Sequence, residues 1–396
     1  MPRVVFVAPF FMDATLRFVE AMASIPEVTL GLISGDPAEK LPPGLKARLA
    51  GHYRIDKPLD PAQLLVATDK LRQHLGGVDR LVGALEQLQI PLGAVRDRLG
   101  IEGMGEAAAT RFRDKAVMKD AMRRAGLPCA RHRATHSAND VRAFVEEVGL
   151  PVILKPRDGA GSIGTHRATT KAELEQALSR FVPEMVEEMM VGKERSFETA
   201  SIRGVPQWDS HTRYDPAPLV VLENPWIQWC VILPREEETS DTQAIRPVAH
   251  AALEVLGMHT GISHMEWFRR NDGSVAVSEV GARPPGAQIV TLNSWAHEVD
   301  VYRKWAELVA LDRWSMPPRK YAVAAAFFRG QGEGTRVVKL HGVEQAQAEL
   351  GSLVVEAKLP VPGQPKVRSY EGEGYAIVRH PETAVVEQAI RRLVSL

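Results

Sequence analysis

The sequence predicts an α/β protein of two or three domains, and three observations carry that expectation. At 396 residues the chain is longer than one hydrophobic core ordinarily organises. Its first third alternates short β-branched apolar runs with amphipathic helical spacing, the order of a parallel sheet with crossover helices. Later it turns to hairpin chemistry, with Gly204 and Asn271-Asp272-Gly273 each between two strand-like runs. Lys plus Arg equals Asp plus Glu at 49 each, so no global charge draws the chain to nucleic acid or to an anionic membrane, and any anion site must be local. Cys129 and Cys230 lie far apart without CxxC or Cys/His spacing, and read as buried thiols in a reducing cytoplasm.

Taken in order, residues 4–8 form a first strand. The opening MPRVVFVAPFF has a single Arg and too short an apolar run for a signal peptide or a spanning helix. Residues 14–24 follow with Leu16, Val19 and Met22 at helical spacing, and residues 28–34 return as a strand. Helical alternation continues over 61–74 and 85–98, with a weak strand at 80–82 between them. Pro9-Phe10-Phe11 stands where a nucleotide-binding glycine turn would follow the first strand, so this region is expected to be a scaffold forming one wall of a cleft. Residues 111–124 read as one helix with Phe112, Ala116, Val117, Ala121 and Met122 inward, stopped by Gly126 and Pro128 and carrying Lys115. A strand at 129–135 and a helix at 138–148 lead into the stretch around which the rest is organised.

That stretch is LPVILKPRDGAGSIGT, residues 150–165. Its apolar β-branched start reads as a buried strand that ends by presenting Lys155. In the loop that follows, Gly159, Gly161 and Gly164 let the backbone approach a polyanion while Lys155 supplies a point charge beside it, which makes a phosphate cradle, with Ser162 also a candidate cofactor-binding residue. GAGSIG also satisfies G-x-G-x-x-G, but a dinucleotide site needs a helix opening on the third glycine, and Thr165 to Thr170 look extended. Residues 184–194, EMVEEMMVGKE, interleave apolar and acidic side chains, and Met189 and Met190 suit a flat apolar slot. A hairpin over Gly204 joins 195–202 to 205–211, and 241–256 is a long amphipathic helix.

Strands at 262–270 and 274–280 flank Asn271-Asp272-Gly273. If Asp272-Gly273 is a two-residue loop, Asn271 faces Ser274 and, counting back along both strands, Glu266 faces Glu279. Directly opposed like charges destabilise a sheet unless something compensates. A divalent cation is the simple compensation, because Mg²⁺ prefers one or two carboxylates together with phosphate oxygens. Two lysines, a phosphate loop and an acidic pair are the parts phosphoryl transfer needs in any family.

The ordered set Lys115, Lys155, GAGSIG, VEEMMVGKE, MEWF and EVGARPPG resembles the ATP-grasp superfamily, and within it the carboxylate–amine ligases of the L-amino-acid ligase type. The resemblance implies an N-terminal parallel α/β domain over residues 1–105, an ATP-grasp domain over 106–315 with a small lobe near 110–190 and a large lobe near 191–315, and a small closing domain over 316–396. It implies ATP and Mg²⁺ as cofactors, with Lys115 and Lys155 on the α- and β-phosphates and the 159–164 loop over the β- and γ-phosphates. Glu187 and the backbone of Glu188 to Met190 would receive adenine, and Glu194 the ribose hydroxyls. Glu266 and Glu279 match the family's magnesium carboxylates and Arg283 its intermediate-stabilising arginine, while Arg213 is a candidate for the γ-phosphate. Where the family often carries Asn between the second carboxylate and that arginine, this chain has Gly281. Small carboxylate and amine substrates follow as partners, and a homodimer stays open. Three alternatives also stay open: a biotin-carboxylase-like or purine-pathway carboxylating enzyme, a nicotinamide oxidoreductase resting on GAGSIG with Glu184 as ribose acid, and a non-catalytic ATP-binding protein.

Overall fold

The computed structural model describes residues 1–159 and 164–396. Among these residues three sheets are formed. The first is parallel, with Gly51–Arg54, Thr29–Ser34, Arg3–Ala8 and Arg80–Val82 side by side in that order. Helices cover both faces, as two-sided burial of a parallel sheet requires. Phe6, Phe18 and Met22 pack on one side with Trp305, and Val5, Val7 and Ile33 on the other with Leu64, Leu71, Leu88 and Leu92. The weak strand at 80–82 is real, and it lies beside the first strand.

The second sheet is small and antiparallel, ordered His132–Ala134, Met185–Glu188, Val152–Lys155 and His166–Ala168. Helices Ala138–Val148 and Lys171–Leu178 cover one face through Val141, Phe144 and Leu174. The extended reading after Gly164 agrees with the strand His166–Ala168, so no helix opens on the third glycine.

The third sheet has eight strands: Val275–Gly281, Gly261–Arg270, Gly192–Ile202, Val205–Asp215, Trp229–Leu233, Ala322–Phe328, Gly374–His380 and Val354–Lys358. Strands from 192–281 and from 322–380 are therefore hydrogen-bonded into one continuous layer, joined where Trp229–Leu233 pairs with Ala322–Phe328. Arg336 pairs with Pro365 through an isolated bridge.

Two local departures from the sequence reading shape the site. Residues 111–124 are not one helix. Asp114 leaves the helical region at ψ 107°, and its carboxylate accepts from the N–H groups of Ala116 and Val117, so Glu106–Arg113 ends and Lys115–Arg124 begins around it. The second departure is in the acidic hairpin. Arg270 donates its N–H to Ser274 and Gly273 donates to Arg270, closing a three-residue loop, and Trp267 then faces Val277. An irregularity between Glu266 and Trp267 leaves Ser278 without an opposite number and brings Glu266 back opposite Glu279. The predicted pairing is observed although the predicted loop is not, because the longer turn and the bulge cancel.

Candidate active site between the small and eight-stranded sheets

A cavity of about 300 Å³ lies between the second sheet and the third, and its lining includes Lys115, Lys155, Gly159, Glu187, Met190, Glu194, Glu266, Glu279 and Arg283. Three elements bring the charges together. Asp114 caps its helix so that Lys115 is the first helical residue, and Lys115 donates to the carbonyl of Gly159 at 2.6 Å and lies 3.2 Å from Glu279 Oε2. Lys155 ends its strand 2.5 Å from Glu187 Oε1 on the neighbouring strand. The acidic hairpin delivers Glu266 and Glu279 to one face.

The two facing carboxylates are not equivalent. Burial, then Glu279 and Glu194, push the Glu266 carboxyl up to about 8. Glu279 is held down to about 2: burial works against its ionisation, but Lys115 and Lys155 outweigh it. Glu194 rises to about 7, by burial and then by the charge on Glu279. Among the described residues no group of three or more His, Cys, Asp or Glu side chains is arranged to hold a metal ion. Two facing carboxylates, one of them pushed up by burial and by the charge of the other, fit a cation whose remaining ligands come from a bound phosphate rather than from the protein.

Lys119 was not singled out in the sequence. Its side chain is fully buried, with Nζ donating to the carbonyl of Ser278 at 2.7 Å and lying 3.2 Å from Glu187 Oε2. Burial lowers its pKa and Glu187 raises it, while Lys119 and Lys155 together hold Glu187 below its ordinary range against burial. A signal existed: four-residue spacing puts Lys115 and Lys119 on one helix face. Glu86 was also missed. It follows the strand Arg80–Val82 in the N-terminal sheet and accepts from Arg283 at 2.7 Å and from Arg113 at 3.4 Å. A Cβ on Gly281 would stand 3.8 Å from Glu86 Oε2. No local pattern marks Glu86, because Arg283, its partner in the cavity, is 197 residues away.

Arg213 does not join the cavity. Successive side chains on a strand point to opposite faces, and here Tyr214 takes the cavity side. Arg213 lies across the sheet, 2.9 Å from Glu387 of the last helix, Thr383–Ser395. Glu188 is likewise turned away: its carboxylate holds Arg131 at 2.7 Å and its N–H is given to the carbonyl of Arg131. Met189, Met190 and Val191 line the cavity in its place. Gly164 has φ +75°, a left-handed conformation that glycine adopts without strain. Gly161 and Ser162 lie outside the described residues. His211 is buried against Thr242 and pushed down to about 3 by burial and by Arg319, so it is a neutral structural residue. His264 lines the cavity with Nδ1 2.9 Å from Glu198.

Aromatic side chains supply the remaining wall. Trp229 meets Tyr214 at 5.5 Å and Tyr370 edge-on at 4.5 Å between ring centroids, and all three line the cavity. Burial raises the pKa of both phenols, and Glu266 is the first charge to add to it in each.

Residues 120–297 match the family model of the ATP-grasp domain. Over 126 residues the chain is 34% identical to alanine–anticapsin ligase of Bacillus subtilis (strain 168), covering 32% of this chain and 26% of that protein. It is 26% identical over 241 residues to D-alanine–D-alanine ligase A of Chromobacterium violaceum, covering 56% of this chain and 61% of that one. The chain thus spans about a quarter of the length of the first of these curated relatives. The L-amino acid ligase from Bacillus licheniformis superposes with a TM-score of 0.77 at 17% identity, covering 100% of this chain and 97% of that one. The N5-carboxyaminoimidazole ribonucleotide synthetase from Thermotoga maritima superposes at 0.73 and 17% identity, covering 100% and 98%. These two likenesses speak for the fold. With its parallel N-terminal sheet and its antiparallel sheets around a lysine- and carboxylate-lined cavity, the chain carries a match to the ATP-grasp domain over residues 120–297.

Proposed function

We propose that this protein is an ATP-dependent carboxylate–amine ligase that forms an amide or dipeptide bond through an acyl phosphate and releases ADP and phosphate. The observation that carries the reading is one cavity holding Lys115, Lys155 and the facing pair Glu266 and Glu279. Residues 1–105 serve as the N-terminal domain, 106–315 as the nucleotide-gripping domain and 316–396 as the closing domain. Ile153, Met190 and Phe268 offer apolar surface for adenine, and Glu194 accepts from the ribose hydroxyls. Lys115 and Lys155 take the α- and β-phosphates, and the loop 159–164 covers the β- and γ-phosphates.

Glu266 and Glu279 hold Mg²⁺, which when bound neutralises the phosphoryl group in transit. In this chain Lys115 and Lys155 favour the ionised form of Glu279, and a bound cation would favour that of Glu266. Arg283 holds the acyl phosphate and the tetrahedral oxyanion, and its salt bridge to Glu86 aims it from the N-terminal side. The attacking amine loses its proton to solvent or to His264, whose imidazole lies beside Glu266. The substrates are small molecules, and the reducing cytoplasm suits two buried free thiols. Among the described residues no helix is long and apolar enough to cross a membrane.

The test is an ADP-release screen over pairs of amino acids and small acids with ATP and Mg²⁺. ADP should appear only when a carboxylate is present; AMP and pyrophosphate in stoichiometric yield would indicate adenylation and overturn the reading. The likeness to N5-carboxyaminoimidazole ribonucleotide synthetase supports a second reading, a carboxylating enzyme. Turnover that requires bicarbonate would select it.

A further inference from the structure

We infer that the aromatic part of the cavity is a specificity pocket for a substrate with a bulky apolar side chain, and that Tyr370, from the C-terminal region, is its specificity-determining residue. The inference rests on the ligase reading for the identity of the reaction, but not for the shape of the pocket. Its walls come from three separate places. Tyr214 and Trp229 stand on neighbouring strands of the large sheet. Leu219 and Val220 belong to the short helix Pro218–Glu223, which Arg167 of the small sheet ties down through Glu223 at 2.9 Å. Tyr370 arrives from the segment before Gly374–His380, where the adjacent Glu371 lies beside the Pro284-Pro285-Gly286 turn, its Oε1 4.0 Å from where a Cβ on Gly286 would stand.

All five of these side chains line the same cavity as Arg283 and Glu266. The indole N–H of Trp229 is already given to the carbonyl of Pro216 at 3.0 Å, and its far side stacks on Phe327 at 5.2 Å, so what Trp229 offers the cavity is apolar ring surface. A substrate carboxyl at Arg283 therefore has carbon surface for its side chain. Burying that surface against aromatic rings favours large apolar groups and leaves a glycine- or alanine-sized group with an unfilled void. Charged side chains meet no counter-ion on these five walls, and their desolvation is uncompensated there.

The experiment has a binding arm and a turnover arm, both on the full chain with Mg²⁺. Calorimetric titration with MgADP present compares L-phenylalanine and L-leucine with glycine and L-alanine. ADP release with ATP then gives kcat/KM for the same acids against each partner amine. The expected result is at least tenfold tighter binding and higher kcat/KM for the bulky acids. Tyr370→Ala, which opens the pocket, and Val220→Phe, which fills it, should each cut the bulky-to-small ratio at least tenfold, whereas Tyr370→Phe should keep it. A purely structural role for Tyr370 predicts instead that every substrate suffers alike and the ratio stays. If Tyr370→Ala does not fold, Val220→Phe decides. A wild-type preference for glycine, alanine or charged acids, or a ratio unmoved by the folded variants, overturns the pocket while leaving the ligase reading intact. Tight binding of L-phenylalanine with no ADP release from any pair supports the pocket and overturns the ligase reading. Failure of both arms overturns both.

Discussion

The charged and the aromatic parts of this cavity are built in opposite ways. Lys115, Lys155, Glu187, Glu266 and Glu279 are each placed by a nearby device: a helix cap, a strand end or a hairpin register. Tyr214, Trp229 and Tyr370 are gathered from positions up to 156 residues apart, the first two by the pairing of neighbouring strands and Tyr370 from a distant segment. Phosphate chemistry tolerates few residue types at few spacings, so it leaves a trace in the chain. An apolar pocket can be walled by any large side chain from any strand, and it leaves none. In the proposed reading catalysis falls to the legible part and substrate choice to the other.

The largest effect that would break this comparison is expected at the facing carboxylates. Glu266→Gln and Glu279→Gln should each lower turnover by about 10²–10³, the several kcal/mol of metal neutralisation in the transition state. Stability should separate them. Glu266 is the member that burial and Glu279 push up, so its amide should leave metal-free thermal stability equal or raised. Glu279→Gln leaves Lys115 without its carboxylate and should lower the melting temperature. Two variants with wild-type turnover would place the metal elsewhere.

Next come the lysines. Lys155→Ala and Lys115→Ala should weaken ATP binding by about tenfold to a hundredfold, the roughly 1–3 kcal/mol of a charge-assisted contact, as read by nucleotide titration. Titrations that match wild type in both would remove the nucleotide site from this cavity.

A smaller effect tests whether the motif-free N-terminal sheet reaches the chemistry. Glu86→Gln keeps the shape but loosens the hold on Arg283, so kcat should fall about tenfold with ATP affinity within about twofold of wild type. Equal losses in kcat and in ATP affinity would mean that Glu86 only holds the domains together.

The smallest effect is expected at Arg213. Its partner Glu387 is on the other face of the sheet, and a half-exposed ion pair contributes about 0–1 kcal/mol. Arg213→Ala should keep turnover within about twofold and cost at most a few degrees of melting temperature. A hundredfold loss of turnover would return Arg213 to the active site.

The residues themselves make clear why some of the site could be read and some could not. The parallel N-terminal sheet, the strand ending at Lys155 and the extended segment after Gly164 follow from apolar period and turn chemistry within a dozen residues. The opposition of Glu266 and Glu279 was legible by a premise that fails locally, since a three-residue turn and a bulge replace the two-residue turn. Arg213 was misplaced because its sequence neighbourhood says nothing about which face of the strand the cavity takes. Lys119 looked like any helical lysine until Ser278 and Glu187 closed over it.

By itself the sequence determined the chemical inventory: two lysines, a glycine-rich stretch and paired carboxylates in an order that suits a polyanion with a divalent cation. Those features depend on short stretches of chain, the longest the hairpin from Glu266 to Glu279, where covalent geometry, caps and turns settle the outcome. Tertiary structure alone decided that Glu86 would hold Arg283, that Lys119 would be buried under Glu187, and that strands from 322–380 would extend the sheet bearing Glu266. It also decided that Tyr370 would meet Trp229. These are packing events between segments far apart in the chain, set by the complementarity of whole faces, and no short window contains both surfaces.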